Sequence, residues 1–139
     1  MKAYLDTSVI LRKLLGEPGA LKEWGHWDEG CTSELARVES MRVLDRLRLQ
    51  GSLDDGEVAE KMSLLREVLE TADLITLDSA ILERASRSYP TVVGTLDAIH
   101  LASALLYLEH ENGKLLFMTH DRRLGTAAQA LGFETRGLD

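Results

Sequence analysis

Short apolar runs alternate with longer stretches of helical periodicity along this chain. That pattern predicts strands interleaved with helices around a mainly parallel sheet. Lys2–Leu5 reads as the first strand, and Asp6-Thr7-Ser8 offers cap chemistry for a short helix running to Leu15. Gly16, Pro18 and Gly19 predict a turn. Leu21, Trp24 and Trp27 recur every third position, the apolar stripe of a helix expected over residues 20–28. Cys31-Thr32-Ser33 predicts a second short strand, and a helix over Glu34–Leu49 follows, stopped by Gly51.

Asp54-Asp55-Gly56-Glu57 has the D-x-x-E form of a capping box and opens a helix reaching about Leu69. Residues 73–77 (DLITL) predict a strand, and Asp78-Ser79 caps a helix to Ser88 that Tyr89-Pro90 breaks. Thr95 is placed to cap the longest apolar helix, 96–110, whose apolar residues run nearly all round and so predict burial against the sheet. A strand over 115–119, a helix over 121–131 and an edge strand over 133–135 complete the pattern. With 139 residues, no repeat and no linker, one domain spanning 1–139 is expected.

Composition narrows the functional classes. A hydrophobic content of 45% with 28% charged residues suits a folded, soluble chain. The net charge of −7 speaks against holding nucleic acid by surface charge alone. It leaves a metal-using nuclease open, because carboxylates build such sites and a bound cation reverses the field a phosphate feels. Cys31 is the only cysteine, which excludes an intrachain disulfide and a cysteine-based zinc site. No signal-peptide pattern is visible before the first strand, and no apolar run approaches the roughly 18 residues of a membrane span. The expected compartment is the cytoplasm.

In open α/β folds, functional groups gather at the carboxyl ends of the strands. Asp6 directly follows the first predicted strand, Asp121 lies just beyond the strand over 115–119, and Asp97 sits in the first turn of the long apolar helix. Glu39 shares a helical stripe with Leu35 and Val43, so its carboxylate leans inward and needs a partner or a metal. Each residue also has a simpler reading. Asp6 and Asp121 are good helix caps, Asp97 favours a helix dipole, and Glu39 has Arg42 and Arg46 within reach. Taken singly, spacing leaves both readings open.

The words around these acids carry more information. LDTSVIL at 5–11, TSELARVESMRVL at 32–44, TLDAIHLASAL at 95–105 and FMTHDRRL at 117–124 occur in that order. Together with the ending AAQALGFETRGL, they resemble the PIN-domain family, most closely its VapC-type toxin ribonucleases of toxin–antitoxin pairs. The likeness covers essentially the whole chain. It implies a Rossmann-like three-layer α/β/α fold and a metal-dependent endoribonuclease. The family's acidic positions fall on Asp6, Glu39, Asp97 and Asp121, as catalytic residues and as ligands of Mg2+ or Mn2+, and Thr119 matches a polar position near the metal. Hard cations of this kind prefer oxygen ligands and retain waters, which suits such a set. The resemblance further implies an RNA substrate cut to leave a 5′-phosphate and a 3′-hydroxyl, a cognate VapB-type antitoxin and a homodimer. Two alternatives remain at this point: an inactive PIN-like binding module, and a PIN nuclease of RNA processing.

Other residues receive plainer assignments. His100, on the apolar helix, reads as a satisfied core histidine, and His120 as an exposed loop residue. His26 and His110 lack zinc-ligand spacing. Trp24 and Trp27 read as core, and Cys31 as a small buried hydrophobe. Arg12, Lys13, Arg122 and Arg123 flank the acids in sequence and can serve phosphates or form a solvated face. No glycine-rich phosphate loop is present. A haloacid-dehalogenase-type phosphotransferase needs D-x-D after strand one, where this chain has Asp6-Thr7-Ser8, and a receiver domain needs paired acids there.

Overall fold

The computed structural model describes all residues from Met1 to Asp139. Five strands, β1 (Lys2–Leu5), β2 (Glu29–Ser33), β3 (Asp73–Ile75), β4 (Leu115–Met118) and β5 (Glu134–Arg136), form one sheet in the order β3-β2-β1-β4-β5. Every neighbouring pair is parallel, so the mainly parallel sheet expected is entirely so. Six helices accompany it: α1 (Thr7–Leu14), α2 (Glu34–Leu49), α3 (Asp55–Thr71), α4 (Ser79–Ala85), α5 (Thr95–His110) and α6 (Arg122–Ala130).

Strand side chains alternate between faces, and the two faces feed two separate cores. Ala3 and Leu5 of β1, with Leu116 and Met118 of β4, pack against Val9 and Ile10 of α1, Leu44 of α2 and Leu65 of α3. Tyr4, Leu115 and Phe117 turn the other way, onto Leu101 of α5 and Leu124 and Ala127 of α6. The sheet between these cores makes the three α/β/α layers. Tyr4 and Phe117 stack with ring centroids 5.0 Å apart, joining β1 to β4 on the α5 side. Burying Phe117 alone contributes about 1.5–3 kcal/mol.

Most caps form where the sequence predicts them. Asp54 and Glu57 exchange side-chain-to-backbone bonds as a capping box, and Asp78 accepts from the Ile81 N–H. At α5, Gly94 rather than Thr95 is the N-cap, and no side chain caps that end. The helix expected over 20–28 does not form. Leu21 is buried and the two tryptophans pack edge to face, 5.3 Å apart, but the backbone runs through isolated turns. Gly19 and Gly25 there hold positive φ (76° and 81°), which interrupts a right-handed helix. The residues are core-facing, as a helical stripe would make them, without the helix. Strand β3 ends at Ile75 and helix α4 at Ala85, both short of the predicted lengths.

Beyond β4 and β5 the ladder continues for one bond, from the Thr119 N–H to the Arg136 carbonyl. Gly137 then turns the chain at φ +97°, and a Cβ there would sit 2.7 Å from the Thr119 carbonyl oxygen. Only glycine fits. Gly137→Ala is therefore expected to lower stability by roughly 1–3 kcal/mol, read as a lower urea midpoint at unchanged slope. A midpoint equal to that of the parent chain would refute this account of the turn.

Candidate active site

The strand order reverses direction at β1: the chain builds outward through β2 and β3, then crosses to β4 and β5 on the other side. Connections therefore leave the carboxyl ends of β1 and β4 in opposite directions and open a crevice there. Asp6 follows β1 directly, and Thr119, His120 and Asp121 follow β4. Helix α5 begins with Asp97 in its first turn, and α2 carries Glu39.

Asp6 is buried, 5% exposed, and its Oδ2 is fully engaged. It accepts from the Ser8 hydroxyl at 2.6 Å, the Ser8 N–H at 3.3 Å and the Thr119 hydroxyl at 2.9 Å. Those hydroxyls are themselves held: Ser8 Oγ accepts from the His120 N–H (2.9 Å), and Thr119 Oγ1 from the Asp121 N–H (3.0 Å). Two strand exits are thus clasped together through one carboxylate oxygen. Its Oδ1 lies 3.5 Å from His100 Nε2.

Glu39 pairs with neither Arg42 nor Arg46; Arg42 bonds Asp45 instead. Its Oε1 accepts from the Thr7 hydroxyl at 2.7 Å and from His100 Nε2 at 2.6 Å. Asp121 caps α6 by accepting the Leu124 N–H on Oδ1 at 3.0 Å. Asp97 is half-buried and bonded to no other side chain. The cap reading of Asp6 and Asp121 is correct and incomplete. Glu39 and Asp121 each commit one oxygen to the scaffold and leave the other without a side-chain partner, whereas Asp6 commits Oδ2 and turns Oδ1 toward His100 Nε2 at 3.5 Å.

The charges of these acids reach one another. Burial raises the Asp97 pKa above its ordinary value, and the charges of Asp121, Asp6 and Glu39 raise it further. Burial pushes the Glu39 carboxyl up as well, but the hydrogen bond and charge of His100, with the Thr7 bond, bring it net below the usual range. Burial lowers the His100 pKa, yet the Glu39 bond and the charges of Asp6, Glu39 and Asp97 leave it net raised. No three of these side chains close into a ready-made cage around one point. A hard divalent ion that keeps several waters does not need one.

Three participants escaped sequence reasoning: Thr7, Ser8 and His100. His100 is a satisfied core histidine as expected, with Tyr4 Oη 2.7 Å from Nδ1. Its other nitrogen, however, serves the acidic group. The available signal was its position one helical turn after Asp97, on the same face. The flanking basic residues are largely tied down: Arg12 reaches the Gly19 carbonyl (3.5 Å), Arg123 the Val92 carbonyl (3.2 Å), and Lys13 lies over the Trp24 ring (6.0 Å). His120, expected as an exposed loop residue, is instead half-buried: Nδ1 lies 2.7 Å from the Gly137 carbonyl oxygen, and Nε2 is buried without a hydrogen-bond partner.

Comparison with known proteins gives this arrangement a context. The family model described as PIN domain matches residues 3–129. Ribonuclease VapC47 of Mycobacterium tuberculosis (strain CDC 1551 / Oshkosh) is 31% identical over 139 residues, covering 95% of this chain and 93% of that protein. Ribonuclease VapC46 of Mycobacterium tuberculosis (strain ATCC 25618 / H37Rv) is 38% identical over 132 residues, covering 93% and 92%. Among solved structures, a chain of a toxin-antitoxin complex from Klebsiella pneumoniae has the same fold, with a TM-score of 0.63 at 19% identity and 94% of each chain covered.

The raised Asp97 pKa has a consequence for stability. A carboxyl whose folded pKa lies above its unfolded value of 3.8 favours the folded state below that value. That contribution is lost as pH rises through the folded pKa. Ionised Asp97 therefore destabilises the metal-free protein at neutral pH. Asp97→Asn is expected to raise the melting temperature of the metal-free chain at pH 7 and to change it little at pH 3.5, measured by calorimetry. A variant melting below the parent at pH 7 would contradict the crowding of charge at Asp97.

Proposed function

Because this chain belongs to the PIN-domain family, we propose that it is a metal-dependent endoribonuclease, the toxin of a VapBC-type pair, with Asp6, Glu39, Asp97 and Asp121 as its acidic active site. The observation that carries this reading is the meeting of four carboxylates at the switch point of the sheet, with unpaired oxygens and mutually opposed charge. An uncompensated acidic group of this kind fits an oxygen-preferring divalent ion, Mg2+ or Mn2+. When bound, such an ion supplies Lewis acidity toward a phosphodiester and a reactive water at neutral pH.

The residues divide the remaining work. Asp6, buried and clasped, is the fixed anchor, and its Oδ1 is the oxygen available to a ligand. Asp97 stands in the first turn of α5, and Asp121, which is exposed, caps α6. Glu39 offers Oε2 to the ion or to the attacking water, since Oε1 is held from behind. Water rather than the ribose 2′-hydroxyl is the nucleophile. The sugar hydroxyl is not needed as nucleophile, because a divalent ion held by the acids would supply the reactive water itself. Hydrolysis then leaves a 5′-phosphate and a 3′-hydroxyl.

A VapB-type antitoxin is the expected partner. The groove between α2 and α3, lined by Arg37, Met41, Met62, Leu65 and Leu69, offers an apolar seat for a partner segment whose basic side chain enters the acidic site. We also propose that the chain forms homodimers, folds as a single domain over 1–139 and acts in the cytoplasm. No helix is long and apolar enough to cross a membrane.

The test is incubation of antitoxin-free protein with total RNA, with and without Mg2+ or Mn2+, beside Asp97→Asn. Metal-dependent fragments are expected, with cleavage by the variant slower by roughly 100-fold or more, since each 1.4 kcal/mol of lost transition-state stabilisation is tenfold in rate. At an ion concentration 100 times Kd the parent chain should also gain about 2.7 kcal/mol of stability. Folded protein that neither cleaves RNA nor gains stability from either ion would defeat the nuclease reading.

A further inference from the structure

His100 lies beneath the acidic site, fully enclosed, and none of the proposed chemistry assigns it a task. Its ring is held at both nitrogens. Tyr4 Oη stands 2.7 Å from Nδ1, and the Tyr4 ring itself is buried, stacked on Phe117 and set edge-on to the imidazole. On the opposite side, Nε2 stands 2.6 Å from Glu39 Oε1 and 3.2 Å from Thr7 Oγ1. An ionised carboxylate only accepts, so the hydrogen on this side must belong to Nε2, whichever way the Tyr4 hydroxyl points. The Thr7 hydroxyl hydrogen goes to the same Oε1, at 2.7 Å.

The bond crosses from one layer to another. Glu39 belongs to α2, on one face of the sheet, while His100 belongs to α5, whose buried side packs on the other. A glutamate side chain has three rotatable bonds, and two convergent donors on one oxygen remove most of that freedom. Rotation about the last bond is what decides where Oε2 lies. With Oε1 pinned by His100 and Thr7, Oε2 is the oxygen left for the site.

We infer that His100 is a positioning residue: through Nε2–H it fixes the Glu39 carboxylate across the sheet edge, with Tyr4 locking the imidazole from behind, so that Oε2 is presented to the acidic crevice. This is the relation seen at many metal sites, where a partner behind the ligand sets its orientation and its loss costs roughly 10- to 100-fold in affinity or activity. The inference rests on the proposed nuclease reading for what Glu39 does, but not for how Glu39 is held.

The experiment compares His100→Gln, His100→Leu and Tyr4→Phe with the parent chain. Glutamine reaches the same place with an N–H donor; leucine fills the space without one. Tyr4→Phe keeps the core and removes only the hydroxyl behind the ring, so it stays informative if leucine prevents folding. Mn2+ affinity is measured by calorimetry on each folded variant, with kcat and KM on RNA. His100→Leu should lose roughly 10- to 100-fold in Mn2+ affinity or kcat, KM for RNA should hold, His100→Gln should restore most of the loss, and Tyr4→Phe should fall between. Equal Mn2+ affinity and kcat in the leucine variant and the parent, or equal loss in glutamine and leucine variants, overturns the inference. In the metal-free parent, the 15N resonance of His100 Nε2 should also move on Glu39→Gln, and an unmoved resonance overturns the inference directly. A parent chain that binds no Mn2+ defeats the nuclease reading instead, and the ring resonance then still decides how Glu39 is held.

Discussion

Asp6 Oδ2 receives hydroxyl hydrogens from Ser8 and Thr119, and those hydroxyls in turn receive the backbone N–H groups of Asp121 and His120. A buried carboxylate is costly unless its lone pairs are filled, and hydrogen bonds to a charged group contribute about 1.5–3 kcal/mol each. This clasp therefore does two things at once. It makes a charge tolerable at 5% exposure, and it ties the exit of β1 to the exit of β4. The placement of Asp121 at the start of α6 follows from it, because the backbone N–H of Asp121 is one of the donors. Even the C-terminal turn belongs to the same unit: Gly137 closes on the Thr119 carbonyl and on His120, the residues that flank the clasp.

The acids share one economy of oxygens. Glu39 and Asp121 each give one oxygen to the scaffold and keep one clear, Asp6 gives Oδ2 and holds Oδ1 3.5 Å from His100 Nε2, and Asp97 gives none. Fixing a carboxylate by one oxygen sets its plane while leaving the other atom free to ligate. Burial and, after it, the charges of Asp121, Asp6 and Glu39 raise the Asp97 pKa. Such an arrangement is strained in its charge and relaxed in its geometry. On the proposed reading, a bound cation relieves this electrostatic cost.

Much of this was legible in the sequence, and the parts that were not have identifiable causes. The strand and helix alternation, the capping box at Asp54 and the acids at strand exits are local patterns, and local patterns survive folding. The helix expected over 20–28 failed because a three-residue apolar spacing signals burial as much as helicity, and the left-handed glycines at 19 and 25 decide between them. Glu39 was placed by stripe and by resemblance, but its partners were not. Arg42 and Arg46 were near in sequence, whereas Thr7 and His100 are near only in space, 32 and 61 residues away. His100 shows the limit most clearly. Its burial and satisfaction are readable from an apolar helix, yet which atom satisfies it depends on how α2 and α5 meet around the edge of the sheet, and no periodicity encodes that.

The acidity of the chain becomes intelligible on the same grounds. The net charge is −7; of the flanking cations, Arg12 and Arg123 bond backbone carbonyls and Lys13 lies over the Trp24 ring, while Arg122 is exposed beside Asp121. On the proposed reading, a divalent ion that inverts the field at the switch point adds local attraction for RNA. A basic side chain from a partner would meet that same uncompensated charge. On the proposed reading, the ion that enables cleavage and the cation that silences it compete for one electrostatic vacancy, and a single design of four crowded carboxylates accounts for both the activity and its control.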